Sequence, residues 1–209
     1  MRFSQTFVIG LILISFLLGI WLYPKLPDTM ASHWNISGSV DGTMPKFWGV
    51  FILPFVLVAI WLLLTFLPRI DPMRKNAAGF EKPFDLFMVG LVVFLFYIYT
   101  LCLIWNFGVN FNMNQAIAPG FALLLFIISV LLEGAKRNWF IGIRTPWTMS
   151  SDEVWRKTHK LGAILFKVSA VLALLAMFLP GSLVFLLLGP ILISVVVTVV
   201  YSYVIYKKA

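Results

Sequence analysis

The chain has 209 residues, of which 61% are hydrophobic and 11% charged, and its mean hydropathy is +0.99. A water-soluble domain keeps roughly 25% charged residues to wet its surface, so this composition excludes one and points to a surface that faces lipid. The formal net charge of +8 does not mark a nucleic-acid binder, because the basic residues lie in short segments between apolar runs and form no stripe interleaved with stacking aromatics.

A helix needs about 20 residues to cross the hydrocarbon core, and the uncharged stretches are long enough for six crossings. Phe3 to Pro24 holds 22 residues and predicts the first span. Arg2 before an apolar run has the look of a signal peptide, but the exit Trp21-Leu22-Tyr23-Pro24 lacks a small-residue cleavage site, so an uncleaved span is expected. Phe47 to Pro68 holds another 22 and predicts the second. Leu86 to Leu132 holds 47, too many for one crossing, and breaks between Asn106 and Gln115, where four Asn and a Gln demand water. Val168 to Tyr206 holds 39 and breaks at Pro180-Gly181, giving spans five and six. Gly189-Pro190 is a candidate break within the sixth. The fold class expected is an all-α, six-helix membrane bundle. It divides into a two-span unit (1–68, outer loop 24–46) and a four-span unit (69–209, inner loop 134–160).

Orientation follows from the Lys and Arg residues. Thirteen fall on one side: Arg2, Arg69, Arg74, Lys75, Lys82, Lys136, Arg137, Arg144, Arg156, Lys157, Lys160, Lys207 and Lys208. Only Lys25 and Lys46 fall on the other. The positive-inside bias puts the first group, and both termini, in the cytoplasm. The remaining one, Lys167, lies about two turns into span five and is expected to snorkel along its stem. Trp21, Tyr23, Trp48 and Trp105 outside, with Trp139, Trp155 and Tyr206 inside, read as aromatic belts. The two three-span halves have opposite topology, each with its long loop after its first helix, as in an inverted repeat.

Both long loops are longer than a helical hairpin needs, which makes them the places for function. The outer one has turn signals at Ser37-Gly38 and Asp41-Gly42, with His33-Trp34-Asn35 before them. It reads either as a ligand or partner site, or as a compact cap with Trp34 packed on helix ends and His33 and Asn35 satisfying turn backbone. The inner one has a capping-box pattern, Ser150 with Glu153, that predicts a helix running into span five. On that helix Trp155, His159 and Gly162 share a face. Arg144, before Thr145-Pro146, is placed to hold a carboxylate, a lipid phosphate or helix-end carbonyls, or simply to anchor an interfacial elbow.

Familiar catalytic signatures are missing. His33 and His159 lie on opposite sides and cannot share a metal, and Cys102 is the single cysteine. No nucleophile elbow, phosphate loop or dinucleotide fingerprint occurs, so no catalytic set, metal or cofactor is expected. No Asp or Glu lies at mid-membrane; Asp85 and Glu133 flank their spans, which weakens the case for a proton-coupled carrier.

Leu26-Pro27 followed by His33-Trp34-Asn35, Gly38 and Asp41-Gly42 resembles an N-terminal bacterial membrane domain of unknown function. Gly142-Ile143-Arg144-Thr145-Pro146-Trp147-Thr148, with Trp155 and Thr158-His159, resembles the signature of the SdpI family, named for an immunity protein against a sporulation-delaying toxin peptide. The resemblance covers the whole chain. It implies a non-enzymatic protein of the cell membrane that protects against a secreted, membrane-active peptide and holds a cytoplasmic repressor, without contacting nucleic acid itself. His33, Trp34, Asn35 and Asp41 would then meet the peptide. Arg144, Thr145, Trp147, Trp155 and His159 would carry a state change or hold the repressor. The alternative is a transporter or flippase for a lipid or small amphiphile, with a cavity lined by groups such as Thr65, Thr100, Asn106 or Lys167.

Overall fold

The computed structural model describes residues 3–73 and 80–208. Arg2, Arg74 and Lys75 of the charge count lie outside the described residues. Six helices are long and apolar enough to cross a membrane: α1 (Phe3–Leu22), α2 (Lys46–Ile70), α3 (Glu81–Asn106), α4 (Met113–Gly134), α6 (Asp152–Leu175) and α7 (Leu183–Lys207). A five-residue helix, α5 (Pro146–Ser150), precedes α6. The protein is a multi-pass membrane protein. Its outward faces are continuous hydrocarbon, as Phe185, Leu188, Leu192, Ile193, Val196 and Val200 of α7 show, and such a surface is stable only against lipid.

The loops gather at two ends. At the basic-poor end, Asn114 Nδ2 donates to the carbonyls of Asn35 and Ile36 (2.8 and 2.9 Å), and Gln115 Nε2 donates to that of Met177 (2.8 Å). At the basic-rich end, Asp71 after α2 accepts from the Trp139 N–H (3.1 Å). The segment after α1 is not plain loop. It forms an antiparallel hairpin of β1 (Thr29–Trp34) and β2 (Val40–Pro45), with Thr29 opposite Pro45 and Met30 opposite Met44.

Packing is uneven. In the second half α6 sits between α4 and α7, which scarcely touch each other. Small residues on α6 (Gly162, Ala163, Ser169, Ala170, Ala173) are buried, as are Ala118 and Ala122 of α4. Small side chains let helix backbones approach closely where no hydrophobic force acts between them. In the first half α1, α2 and α3 touch pairwise and more sparsely, so the two halves pack differently despite their opposite topology.

Three sequence expectations need correction. Gly189-Pro190 does not break α7, which runs continuously to Lys207 with Ser194 Oγ donating to the Pro190 carbonyl (2.6 Å). Lys167 does reach along its stem, as expected, to pair with Glu133 in the last turn of α4 at 2.6 Å. Trp155 is 3% exposed and so is no belt residue. The capping box lies at Thr145 and Thr148 of α5, while α6 is capped by Ser151, whose Oγ accepts from Val154 N–H (3.4 Å). Two caps six residues apart produce a corner, which a single continuous helix would not.

Candidate functional site

The hairpin is pinned to the bundle by backbone-like pairing. Asn106, in the last turn of α3, accepts from the Ala31 N–H through Oδ1 (2.7 Å) and donates to the Ala31 carbonyl through Nδ2 (3.1 Å). Its amide thus behaves as one more strand residue at an otherwise open edge. Met30, fully buried, packs against Gly49 of α2. Lys46 reaches back to Asp28 at 2.8 Å and holds that carboxyl below its ordinary value of 3.8. A lowered acid contributes fully above its unfolded pKa and is lost only as pH falls through the folded one, so this tie persists throughout the neutral range.

Irregular pairing shapes the exposed end. The register shifts on both sides of His33, which faces Gly42. A Cβ on Gly42 would come within 2.9 Å of the His33 Cβ, so only glycine fits there. Asp41-Gly42, read as a turn, therefore lies in β2. The bulge turns Asp41 toward His33, and Nδ1 meets Oδ1 at 2.5 Å with both side chains exposed. Trp34 packs edge-on against Trp105 (5.6 Å), and its buried indole N–H has no partner among the described residues. Asn35 is spent on the turn: its Oδ1 accepts from the N–H groups of Ser37 and Ser39 (both 3.0 Å) and from the Ser37 hydroxyl (2.6 Å). Replacing Asn106 with alanine should leave both Ala31 groups unpaired at a buried residue. The expected cost is about 2 kcal/mol, measurable as faster proteolysis of the hairpin with the spans still folded.

At the other end, residues 135–151 form a clasp over the start of α6. Asn138 organises it, accepting from the Phe140 and Ile141 N–H groups (2.9 and 2.7 Å) and donating to the Lys136 and Ile141 carbonyls (2.8 and 2.9 Å). Arg144 donates to the Trp139 carbonyl and remains exposed. Thr145 meets Ser202 of α7 at 3.0 Å, and Trp147 lies on Tyr203 with ring centres 5.0 Å apart. Arg137 pairs with Asp152 at 2.9 Å. Trp155 donates its indole N–H to the Ala135 carbonyl (2.7 Å) and stacks on His159 at 4.0 Å. His159 is 2% exposed. Its Nε2 accepts from the Ile143 N–H (3.0 Å) and its Nδ1 faces the Trp155 carbonyl (2.8 Å), which fits the Nδ1–H tautomer. The acceptor nitrogen that a general base would need is already occupied.

The structure thus brings His33 and Asp41 together, with Trp34 beside them, and collects Thr145, Trp147, Trp155 and His159 around one corner. Both motif regions match known models. Residues 135–202 match the SdpI/YfhL protein family, and residues 10–58 match a domain of unknown function, DUF1648. The last third of the chain is thus similar to the SdpI family. Immunity protein SdpI of Bacillus subtilis (strain 168) is 26% identical over 201 residues, which span 95% of this chain and 93% of that protein. No solved structure matches the chain.

The first matched segment covers most of α1, the hairpin and about half of α2; the second covers the clasp, α6 and most of α7. Sequence reasoning missed the role of Asn106, Asn114 and Asn138, which lock the loops in place. Their signal was present as asparagines at span ends, where a carboxamide can serve backbone donors and acceptors together. In the sequence Asn106 and Asn114 read as part of a water-seeking break, and Asn106 also as a cavity-lining group.

Proposed function

We propose that this protein is a non-enzymatic immunity protein that protects its cell from a membrane-active toxin peptide. The observation that carries the reading is similarity along nearly the whole chain to a protein named Immunity protein SdpI. The hairpin, which the Lys and Arg bias puts outside, is the receiving surface. It exposes the His33–Asp41 pair and, beside it, offers an indole N–H on Trp34 that lacks an acceptor. Desolvated donors without partners favour a ligand carbonyl that supplies one. Asn35 contributes by holding the turn.

The clasp takes the inward role, as the part that changes state or docks a cytoplasmic repressor. Arg144 is an accessible charge on it and Trp147 a half-buried aromatic; Thr145, Trp155 and His159 hold the shape behind them. Passage of a lipid or amphiphile receives less support. Of the residues that would line such a path, Thr65 does line a cavity at the basic-rich end, but Thr100 donates to the Tyr97 carbonyl (2.8 Å), Asn106 holds the hairpin and Lys167 pairs with Glu133.

The test is dye-reported membrane potential in sensitive cells that make the protein and receive a sporulation-delaying-type toxin peptide. Wild type should hold the potential, whereas His33→Ala and Asp41→Ala, made in equal amounts, should lose most protection. Arg144→Ala separates the clasp from the hairpin. Collapse in wild-type cells would overturn immunity, and full protection by the hairpin variants would remove the hairpin as the receiving surface.

A further inference from the structure

Asn106 fills the far edge of β1 at Ala31, and that contact fixes how the opposite strand is turned. Residues facing each other across an antiparallel pair alternate between pairs that exchange both backbone hydrogen bonds and pairs that exchange neither. The Ala31 N–H and carbonyl both go to Asn106 (2.7 and 3.1 Å), so Ala31 and its partner Thr43 form a pair of the second kind. Thr43 therefore turns its own N–H and carbonyl away from β1, toward the free edge of β2. The residue is exposed, and among the described residues nothing outside the hairpin hydrogen-bonds to it. One edge of the sheet is thus closed by a carboxamide acting as a peptide group, while the other presents the same donor and acceptor to water.

The opening is short. Pro45, two residues on and turned the same way, has no N–H, and on the other side the register shifts at His33, opposite Gly42. Proline and bulges blunt an edge against long pairings, which leaves Thr43 as a single slot. Its one donor and one acceptor suit a short extended segment of peptide. A second copy of the chain needs an interface on the order of 1,000 Å², far more than one strand residue supplies. Asp41 and Thr43 are two positions apart on β2 and both exposed, so the slot borders the His33–Asp41 pair on the same face.

We propose that the free edge of β2 takes an extended segment of the toxin peptide as a third strand, which exchanges both backbone hydrogen bonds with Thr43. The identity of the peptide rests on the immunity reading; the mode of binding rests on the strand edge. Strand addition draws its affinity from main-chain bonds. It therefore asks for an extended backbone with no proline at the paired residue, and for little else in the peptide sequence. It also turns a two-stranded hairpin, marginal by itself, into three strands.

The experiment is amide hydrogen exchange, resolved to single residues, on the full chain in lipid nanodiscs with and without a sporulation-delaying-type toxin peptide. The Thr43 N–H should exchange freely in the protein alone and about tenfold more slowly with peptide bound. Thr43→Pro removes that donor without touching the hairpin ladder. It should melt like wild type, bind fluorescently labelled peptide about tenfold more weakly and protect cells less in the membrane-potential assay. Thr29→Pro, the same change on β1, should bind as wild type. If Thr43→Pro melts early, the wild-type exchange at Thr43 decides alone. Wild type that protects cells while its Thr43 N–H stays unprotected, wild-type binding by a well-folded Thr43→Pro, or equal loss in Thr29→Pro would overturn strand addition and leave immunity standing. Wild type that neither protects nor binds would overturn both. A Thr43 N–H already protected without peptide, in a protein that is dimeric by native mass spectrometry, would give the edge to a second copy and overturn the proposal.

Discussion

Replacing Gly142 with alanine is expected to destabilise the clasp by about 3 kcal/mol, from left-handed backbone strain and a lost buried hydrogen bond. Gly142 has φ +114°, which L side chains rarely adopt. A Cβ there would overlap His159 Nε2, the atom that accepts the Ile143 N–H, and would press on the Trp155 ring. His159 cannot retreat easily, since its other face stacks on Trp155 and its Nδ1 is held by the Trp155 carbonyl. The measurement is melting temperature and SDS-titrated unfolding in detergent. A double-mutant cycle with His159→Ala isolates the cause: removing the imidazole should recover part of the Gly142→Ala loss, leaving the backbone strain. If Gly142→Ala costs the same in both backgrounds, the overlap with His159 is not the reason glycine stands there.

Trp155→Ala is expected to cost about 3–5 kcal/mol, the usual range for emptying a buried aromatic site. Three losses combine: the ring volume, the indole hydrogen bond to the Ala135 carbonyl, and the platform on which His159 stacks. Trp155→Phe keeps most of the first and third and should cost about 1–2 kcal/mol. Trp139→Ala is the matched control, because Trp139 is 52% exposed and makes its internal contacts through its backbone. Equal sensitivity of the two tryptophans would mean that Trp155 does not anchor the corner. A failed corner should also abolish any inward signal, while the hairpin, tied through Asn106 at the other end, would keep its fold.

The two family motifs thus serve different kinds of purpose. On the clasp, Gly142, Thr145, Trp155 and His159 are used up internally, and Arg144 is the motif's charged side chain, facing outward. On the hairpin, the irregular register leaves His33 and Asp41 exposed. A motif residue can therefore be specific because a backbone needs it, as glycine at +114° is needed, without touching a ligand.

Uncharged runs of 22, 22, 47 and 39 residues determined the six spans, because lipid offers no hydrogen bonds and leaves long apolar helices as the way across for such runs. The helical period likewise put Trp155, His159 and Gly162 on one face, and all three are buried. Two motifs in order were legible as a family signature, since they are short contiguous strings. Other features depended on partners far away in the chain. Glu133 and Lys167 are 34 residues apart and meet only because α4 and α6 lie side by side. Asn106 and Ala31, 75 apart, turn a loop into an anchored hairpin. Whether Trp155 faced lipid or core, and whether Gly189-Pro190 interrupted a helix, depended on what packed against them. Periodicity determines which residues share a face, but only the neighbouring helices decide whether that face meets lipid, a buried corner or a cavity.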